Sequence, residues 1–474
     1  MASTTTQALP VREASPSRLW PEGKGPLPAN PLPSDHTLPF WRTELHELDT
    51  HRSTPELPET CDILIIGSGY SGASTAWHLV ESYGDEPLPK IVMVEAREAC
   101  SGATARNGGH VKPIVYFAYG RQERIYGHEV ANQIAEFQLS HVLAVKDLVE
   151  KENIDCDFHL TRAVDVFTDQ AYADKITAIF NTMKSRGASV LRQVEYVGPK
   201  DAEQISGVKG AKCAFTFPAA HLWPYKLVMH LLSRVVSKGV NLQTRTPVTS
   251  VSETPDEDGA WAVTTSRGII KAKKVVFATN AYTAYIAPQY SDRIVPCRGI
   301  CSRIICPGPD RAPHLPNSYS LRAGPANSDY FVSRADGSII VGGAKPYVAE
   351  KKENWYNVVD DGKIVEPARQ YFDGYMQRNF RGWEKTGAHT DRVWSGVQGY
   401  TTDLASHVGQ VPGKKGQYII AGFNGHGMPE ILLTSKAIAS MVKDDKTYEE
   451  NGLPMVFKTT QGRLDDARNH IALG

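Results

Sequence analysis

The sequence predicts a chain that mixes α/β and α+β architecture: a dinucleotide-binding domain built from discontinuous segments, with an inserted domain of antiparallel sheet plus helix. Three observations lead there. Short continuous apolar runs, of the kind buried on both faces of a parallel sheet, occur at residues 62–66, near 276 and near 420. The first run is joined through a glycine-rich turn and a helical pattern to another at 91–94, making one strand–helix–strand unit. The separated runs are divided by helical and alternating segments that belong to no such unit.

The elements follow in order. Residues 1–60 hold ten of the 30 prolines, many Ser and Thr, and little apolar periodicity. They form either a disordered tail or an arm lying on the body, and Trp20, Phe40 and Trp41 favour an arm from about residue 20. Residues 71–81 have helical spacing. Residues 120–195 read as mainly helical, with apolar groups at three-to-four spacing over 130–150, and 225–237 is another amphipathic helix closed by Gly239. Short alternating strands at 240–242, 248–251, 261–264 and 269–271 read as an antiparallel meander, and 274–279 as a buried strand. Residues 293–345 suggest more antiparallel sheet, 364–380 a helix, 418–422 a strand and 429–442 a closing helix. The division is an arm over 1–60, a dinucleotide domain over 61–119, 205–290 and 390–445, a substrate domain over 120–204 and 291–389, and a tail over 446–474.

Bulk properties exclude several classes. The 474 residues are 41% hydrophobic and 22% charged, ordinary for a globular protein with a sizeable core, and the formal net charge is zero, so no chain-wide field gathers nucleic acid or anionic membrane. No apolar stretch approaches the roughly 20 residues of a membrane span. With no visible leader, the expected compartment is cytoplasmic. The seven cysteines are scattered and odd in number, unlike a disulfide framework, and Cys297, Cys301 and Cys306 lack the paired spacing of a zinc site, so no metal is expected.

Three motifs carry chemistry. Gly67-Ser68-Gly69-Tyr70-Ser71-Gly72 follows a buried strand and opens a helix, the context a Rossmann-type turn requires. Gly67 permits the turn, Gly69 lets backbone approach a pyrophosphate, and Gly72 allows close helix–strand packing. Glu95, 23 residues after Gly72 at the end of the second run, suits a ribose hydroxyl and repels the 2′-phosphate of NADP; Ala96 and Arg97 follow it. The second motif, Cys100-Ser101-Gly102-Ala103-Thr104-Ala105-Arg106-Asn107-Gly108-Gly109-His110, combines small residues that pass close to a flat ring with Arg106, which suits pyrophosphate or a reduced ring's charge. The third, Gly422-Phe423-Asn424-Gly425-His426-Gly427-Met428, aims a helix N-terminus at a ligand. His426 is either a ligand contact or a satisfied turn histidine.

Taken in order, these motifs resemble the D-amino-acid-oxidase-like family of FAD-dependent oxidoreductases, in a branch that includes sarcosine, glycine and γ-glutamylputrescine oxidases. Residues 101–109 resemble the family's flavin loop, and Leu222-Trp223-Pro224-Tyr225 the start of its central helix. The segment around Val248 resembles the strand reaching the adenine, and Val275-Val276-Phe277-Ala278-Thr279-Asn280-Ala281-Tyr282 a strand end near the adenosine and phosphates. The resemblance implies FAD, oxidation of a C–N bond of a small amine or amino acid by hydride transfer, and O2 as acceptor. Some members carry a lysine in the strand matching 337–343. Here Ile339 and Ile340 stand there, and Lys345 is the nearest lysine. The loop position that bears an attachment histidine in some members holds Arg106, implying non-covalent FAD, with His110 the alternative attachment point.

Candidate catalytic residues are His110 and Lys345. Arg322, Arg334 and Lys345 could meet a carboxylate, and Trp223, Tyr225, Tyr330, Phe331 and His110 could form an aromatic wall. A single dinucleotide fingerprint favours electrons from substrate rather than NADPH. The alternative reading is a flavin monooxygenase or tailoring oxidase acting on a natural product.

Overall fold

The computed structural model describes residues 35–308 and 312–471. Trp20 and the arm before residue 35 lie outside the described residues.

The strand Thr60–Ile66 pairs in parallel with Ile91–Val94 on one side and Gly268–Phe277 on the other. Asn241–Gln243 extends the sheet beyond Ile91–Val94, and Gln417–Ala421 extends it beyond Gly268–Phe277, both in parallel. Five parallel strands therefore come from three separated stretches of chain, with His407–Gln410 antiparallel at the edge. Burial on both faces explains their continuous apolar runs: Leu64, Ile65, Val92, Met93, Val275, Val276, Ile419 and Ile420 are all fully buried. The helices Tyr70–Tyr83, Pro224–Ser237 and Ile431–Asp444 pack together as a layer on this sheet.

Two sequence readings change here. Residues 240–242 join the parallel sheet rather than the meander. Residues 269–271 and 274–279 belong largely to one strand, Gly268–Phe277, whose first half pairs antiparallel with Trp261–Thr265 and whose second half enters the parallel sheet. Its burial changes from alternating to continuous along its length, which reads as two strands in the sequence.

The second sheet has nine strands and is mostly antiparallel. Ile294–Ile305 pairs along its length with His389–Thr401, then Ile339–Gly342, Ser328–Ser333 and Ser318–Arg322 follow in order. Ser318–Arg322 pairs in parallel with His159–Phe167, which pairs antiparallel with Cys213–His221. The strand His159–Phe167 corrects the mainly helical expectation for 120–195: it lies between the helices His128–Glu152 and Gln170–Ser185, and both of its partners are distant in sequence. The helix expected over 364–380 is two short ones, Glu366–Tyr371 and Tyr375–Asn379, separated at Gly374. Sheet membership also moves Cys213–His221 and His389–Thr401 away from the 205–290 and 390–445 segments allotted to the dinucleotide domain, because their hydrogen bonds run to the second sheet.

The described part of the arm is tied down by side-chain hydrogen bonds. The Trp41 indole N–H donates to the Asn107 carbonyl at 2.6 Å, and the Trp223 indole N–H donates to the Trp41 carbonyl at 2.6 Å. Arg42 pairs with Asp49 at 2.7 Å, and Asp49 also accepts from the Tyr225 hydroxyl at 2.7 Å. The Arg334 guanidinium lies 4.5 Å from the Phe40 ring centroid. Trp41 is 1% exposed and Leu45 60%. Trp41→Ala should therefore destabilise the fold by about 3–5 kcal/mol in equilibrium urea unfolding, with Leu45→Ala within about 0.5 kcal/mol of wild type. A Trp41→Ala midpoint equal to wild type would show that the arm does not hold the body.

Candidate active site

A cavity of about 640 Å³ runs between the two sheets and is lined by all three motifs. At one end the chain turns through Gly67, whose φ is +104°. A Cβ on Gly67 would sit 2.6 Å from the Ala278 carbonyl oxygen, and one on Gly72 only 1.9 Å from the Gly67 carbonyl oxygen. Strand, turn and helix thus meet too closely for any side chain. Gly69 differs: its Cβ would touch only the Thr104 hydroxyl at 3.3 Å and otherwise faces the cavity. The helix that begins at Tyr70 leaves its first N–H groups without intrahelical partners, the setting in which a phosphate is held. The Glu95 carboxylate accepts from the Ser68 N–H at 2.9 Å, the Ser68 hydroxyl at 2.7 Å and the Arg97 N–H at 3.0 Å, and still lines the cavity.

The two loops approach from the side. Gly102, Ala103, Thr104, Asn107, Gly108 and His110 line the cavity, as do Asn424, Gly425, His426, Gly427 and Met428. Two asparagines join distant motifs. The Asn280 side-chain oxygen accepts from the Gly422 N–H at 3.0 Å, and that of Asn424 accepts from the Thr401 N–H at 2.8 Å. Gly108 is small for Tyr330: a Cβ there would lie 2.4 Å from the Tyr330 ring, and one on Gly342 2.2 Å from it, so the ring is clamped between the flavin-type loop and the second sheet.

Several expected contacts are absent from the cavity wall. Arg106 turns away: it pairs with Asp361 at 3.1 Å and donates to the carbonyls of Ser101 at 2.9 Å and Ser395 at 2.8 Å. Gly72, Gly109 and Gly422 serve chain packing behind the wall. Trp223 and Tyr225 are covered by the arm and do not form an aromatic wall; Phe331 packs on Tyr319 and Phe380 in the core, and Arg334 pairs with Asp157 at 2.7 Å. Of the substrate candidates, Tyr330, Arg322, Lys345 and His110 line the cavity.

At the second-sheet end lies a polar cluster that sequence reasoning missed apart from Arg322. Buried Asp165 accepts from Lys112, from Arg322 at 3.0 Å and from the Tyr116 hydroxyl at 3.0 Å, while Lys112 also donates to the Ser320 hydroxyl at 2.7 Å. Burial acts to raise the Asp165 carboxyl, but Arg322 and Lys112 more than offset it and hold it below the usual carboxylate range. Burial pushes the Lys112 ammonium down to about 8 against the pull of Asp165. Burial first, and then Lys112, lowers both His110 and His426; His110 falls well below the usual range and His426 to about 3, so both are neutral near pH 7. The His110 Nε2 atom is buried without a hydrogen-bond partner. One signal was available: Lys112 lies two residues after His110, the spacing that returns a side chain to the same side of an extended chain.

A parallel sheet with a glycine turn, a carboxylate at the next strand end and a cavity extending to a second antiparallel sheet define a dinucleotide-dependent oxidoreductase. The chain belongs to the family described as FAD dependent oxidoreductase (DAO), whose model matches residues 62–441. The γ-glutamylputrescine oxidoreductase of Escherichia coli (strain K12) is 24% identical over 394 residues, covering 81% of this chain and 84% of that protein. Among solved structures, glycine oxidase from Geobacillus kaustophilus superposes with a TM-score of 0.67 at 18% identity, covering 85% of this chain and 99% of that one. An L-amino acid deaminase from Proteus vulgaris, lacking its specific insertion sequence, gives 0.65 at 17% identity, covering 87% and 96%. The cradle at Gly69 and the carboxylate of Glu95 fit FAD, the cofactor of this enzyme.

Two outcomes test the site. Gly69→Val should fold, with far-UV circular dichroism unchanged, yet purify without visible flavin absorbance, because its side chain enters the cradle. A fully loaded yellow variant would refute the placement. Glu430 caps the helix Ile431–Asp444 directly behind the third motif, and its carboxyl accepts from the Ser406 hydroxyl and from Gln138 at 3.4 Å. Burial pushes it up to about 7. The folded state then binds a proton that the unfolded state releases near pH 4.3, so this contribution is complete below that pH and lost as pH rises through about 7. Glu430→Gln should be more stable than wild type by roughly 3 kcal/mol at pH 8, with the gap closing by pH 4–5 in denaturant titrations. A gap that does not change with pH would show that Glu430 is ionised in the fold.

Proposed function

We propose that this enzyme oxidises a C–N bond of a small amine or amino acid by hydride transfer to FAD, with O2 as the acceptor. The observation that carries the reading is the juxtaposition, in one cavity, of the cofactor cradle with a neutral, unpartnered imidazole nitrogen and a cluster of cations. The name of the Escherichia coli relative, a γ-glutamylputrescine oxidoreductase, and that of the glycine oxidase with the same fold support an amine or amino-acid substrate.

In this reading the Gly69 and Ser71 N–H groups would hold the pyrophosphate, Gly67 and Tyr70 would shape the turn with N–H groups given to the Val94 carbonyl at 2.8 Å and the Thr104 hydroxyl at 3.0 Å, and Glu95 would hold a ribose, with Ala96, Arg97, Val248 and Thr279 around the adenosine. The 102–108 and 424–428 loops, which line the cavity, would flank the ring. FAD supplies the two-electron acceptance. The substrate would react as the neutral amine, its proton passing to solvent as it enters beside the cation cluster; His110 Nε2 accepts a hydrogen bond from the amine N–H, and the nitrogen lone pair assists hydride departure from the neighbouring carbon. The oxidised C=N bond is then hydrolysed. Arg322 and Lys112 bind a substrate carboxylate, Tyr330 packs on the carbon skeleton, and Lys345 lines the outer part of the cavity. Once the product has left, buried Lys112 would also stabilise negative charge developing on O2.

Mixing the holoenzyme anaerobically with primary and secondary amines and amino acids should bleach the flavin with at least one of them. Admitting oxygen should restore the colour with hydrogen peroxide equal to carbonyl product. No bleaching by any amine, with bleaching by NADPH, would replace this reading with the monooxygenase or tailoring-oxidase alternative. Acid precipitation should leave the flavin in the supernatant; flavin in the pellet would show covalent attachment, with His110 the first residue to examine.

A further inference from the structure

The balance of charge in the cavity goes beyond what one carboxylate requires. Lys112, Arg121, Arg322 and Lys345 all line it. They form one cluster: the charges of Arg121 and Arg322 both act on Lys345, and Arg322 acts on Lys112. Among the described residues, the acidic side chain paired with them is Asp165, already engaged by Lys112, Arg322 and Tyr116. Arg121 and Lys345 make no ion pair among the described residues. Two further arginines on the cavity wall are committed elsewhere, Arg97 to Asp361 at 3.0 Å and Arg298 to the carbonyls of Asn354 at 2.8 Å and Lys363 at 3.4 Å. The histidines between the cations are neutral and add no positive charge.

The cations divide into two kinds. Lys112 and Arg322 are buried and fixed, by Asp165, Ser320 and the Phe117 ring, whose centroid lies 3.6 Å from the Arg322 guanidinium carbon. Arg121 is half-buried and Lys345 exposed, so they stand toward solvent and keep their side-chain freedom. Charges in a partly enclosed cavity are weakly hydrated, and an unanswered cluster there favours an anion of matching charge. A substrate with a single carboxylate leaves most of the surplus unanswered.

We propose that the substrate is an amine bearing two carboxylates, one met by the fixed pair Lys112 and Arg322 and the other by Arg121 and Lys345. The proposal rests on the amine-oxidising reading above. Its chemical class is the acidic amino acids and the iminodicarboxylates, with the reactive nitrogen held toward His110.

Spectral titration separates the two ideas, because inert anions perturb the flavin absorbance without being oxidised. Glutarate and succinate should bind the FAD-loaded enzyme at least tenfold more tightly than butyrate at equal ionic strength. In the double variant Arg121→Gln/Lys345→Gln this preference should vanish while butyrate affinity stays within about twofold, with FAD content and thermal midpoint unchanged. Among oxidisable compounds, glutamate, aspartate or iminodiacetate should bleach the flavin with a higher kcat/KM than their monoamides or monocarboxylate counterparts. Equal affinity for glutarate and butyrate, or a preference that survives the double variant, would overturn the two-carboxylate proposal. Bleaching by amines without dicarboxylate preference overturns it too, and leaves amine oxidation intact. Tight glutarate binding with no amine able to bleach the flavin overturns the amine reading instead, and with it the assignment of the anion as an amine.

Discussion

The Asp361 carboxylate, 1% exposed, receives both Arg97 and Arg106, and the cofactor side of the molecule takes its shape from that junction. Arg97 follows Glu95 at the end of a parallel strand. Arg106 sits in the loop that lines the cavity. The Asp361 carbonyl accepts from the Thr37 hydroxyl at 2.8 Å, which brings in the arm, and Arg106 reaches on to the Ser395 carbonyl in the second sheet. Four distant stretches are thus fixed by one acid. Two cations share it, the carbonyl oxygens of Ser101 and Ser395 and the Thr37 hydroxyl take further donors, and Arg106 Nη2 is left buried without a partner. Such a buried set adds little net stability over an apolar substitute, but losing one member leaves charges stranded at a cost of several kcal/mol. Its effect is on geometry: the loop has one way to lie.

A second buried acid, Asp165, does the equivalent for the substrate end. It fixes Lys112 and Arg322 in place and pulls the Lys112 ammonium up against burial, while burial first and then Lys112 lower His110 and His426. One side of the cavity therefore holds positive charge without protonated imidazole. A neutral imidazole beside fixed cations stays unprotonated and offers its lone pair to an N–H, while the same cations disfavour a substrate ammonium, which agrees with an oxidation that begins from the free amine.

What the sequence showed and hid follows from the range of the interactions. The turn at Gly67, Gly69 and Gly72 was legible because strand, turn and helix are contiguous and each glycine answers a contact within a few residues or one strand away. The parallel strands were legible because burial on both faces leaves continuous apolar runs. Lys112 and Asp165 were not, since a lone lysine just past a glycine-rich loop and an aspartate in an alternating strand resemble surface residues until three distant strands converge. The strand His159–Phe167 was read as helix for the same reason: half of it is exposed or partly so, and its partners lie more than forty residues away. Arg106 was misplaced because its charge suggested an anion in the cavity, whereas the anion was a side chain more than two hundred residues further on. Trp223 and Tyr225 were assigned to a wall that the arm turned out to cover.

The parallel pairing that aligns Asp165 with Ser320 also orders events in time. The strand–helix–strand unit that cradles the cofactor spans residues 60–94 and can close as soon as that short stretch exists. The substrate end cannot. Asp165 and Arg322 meet only after more than 150 intervening residues have been made and folded back, a non-local closure that is intrinsically slow. The first turn of the cradle thus rests on short-range closure, and the pocket that chooses the substrate on long-range closure.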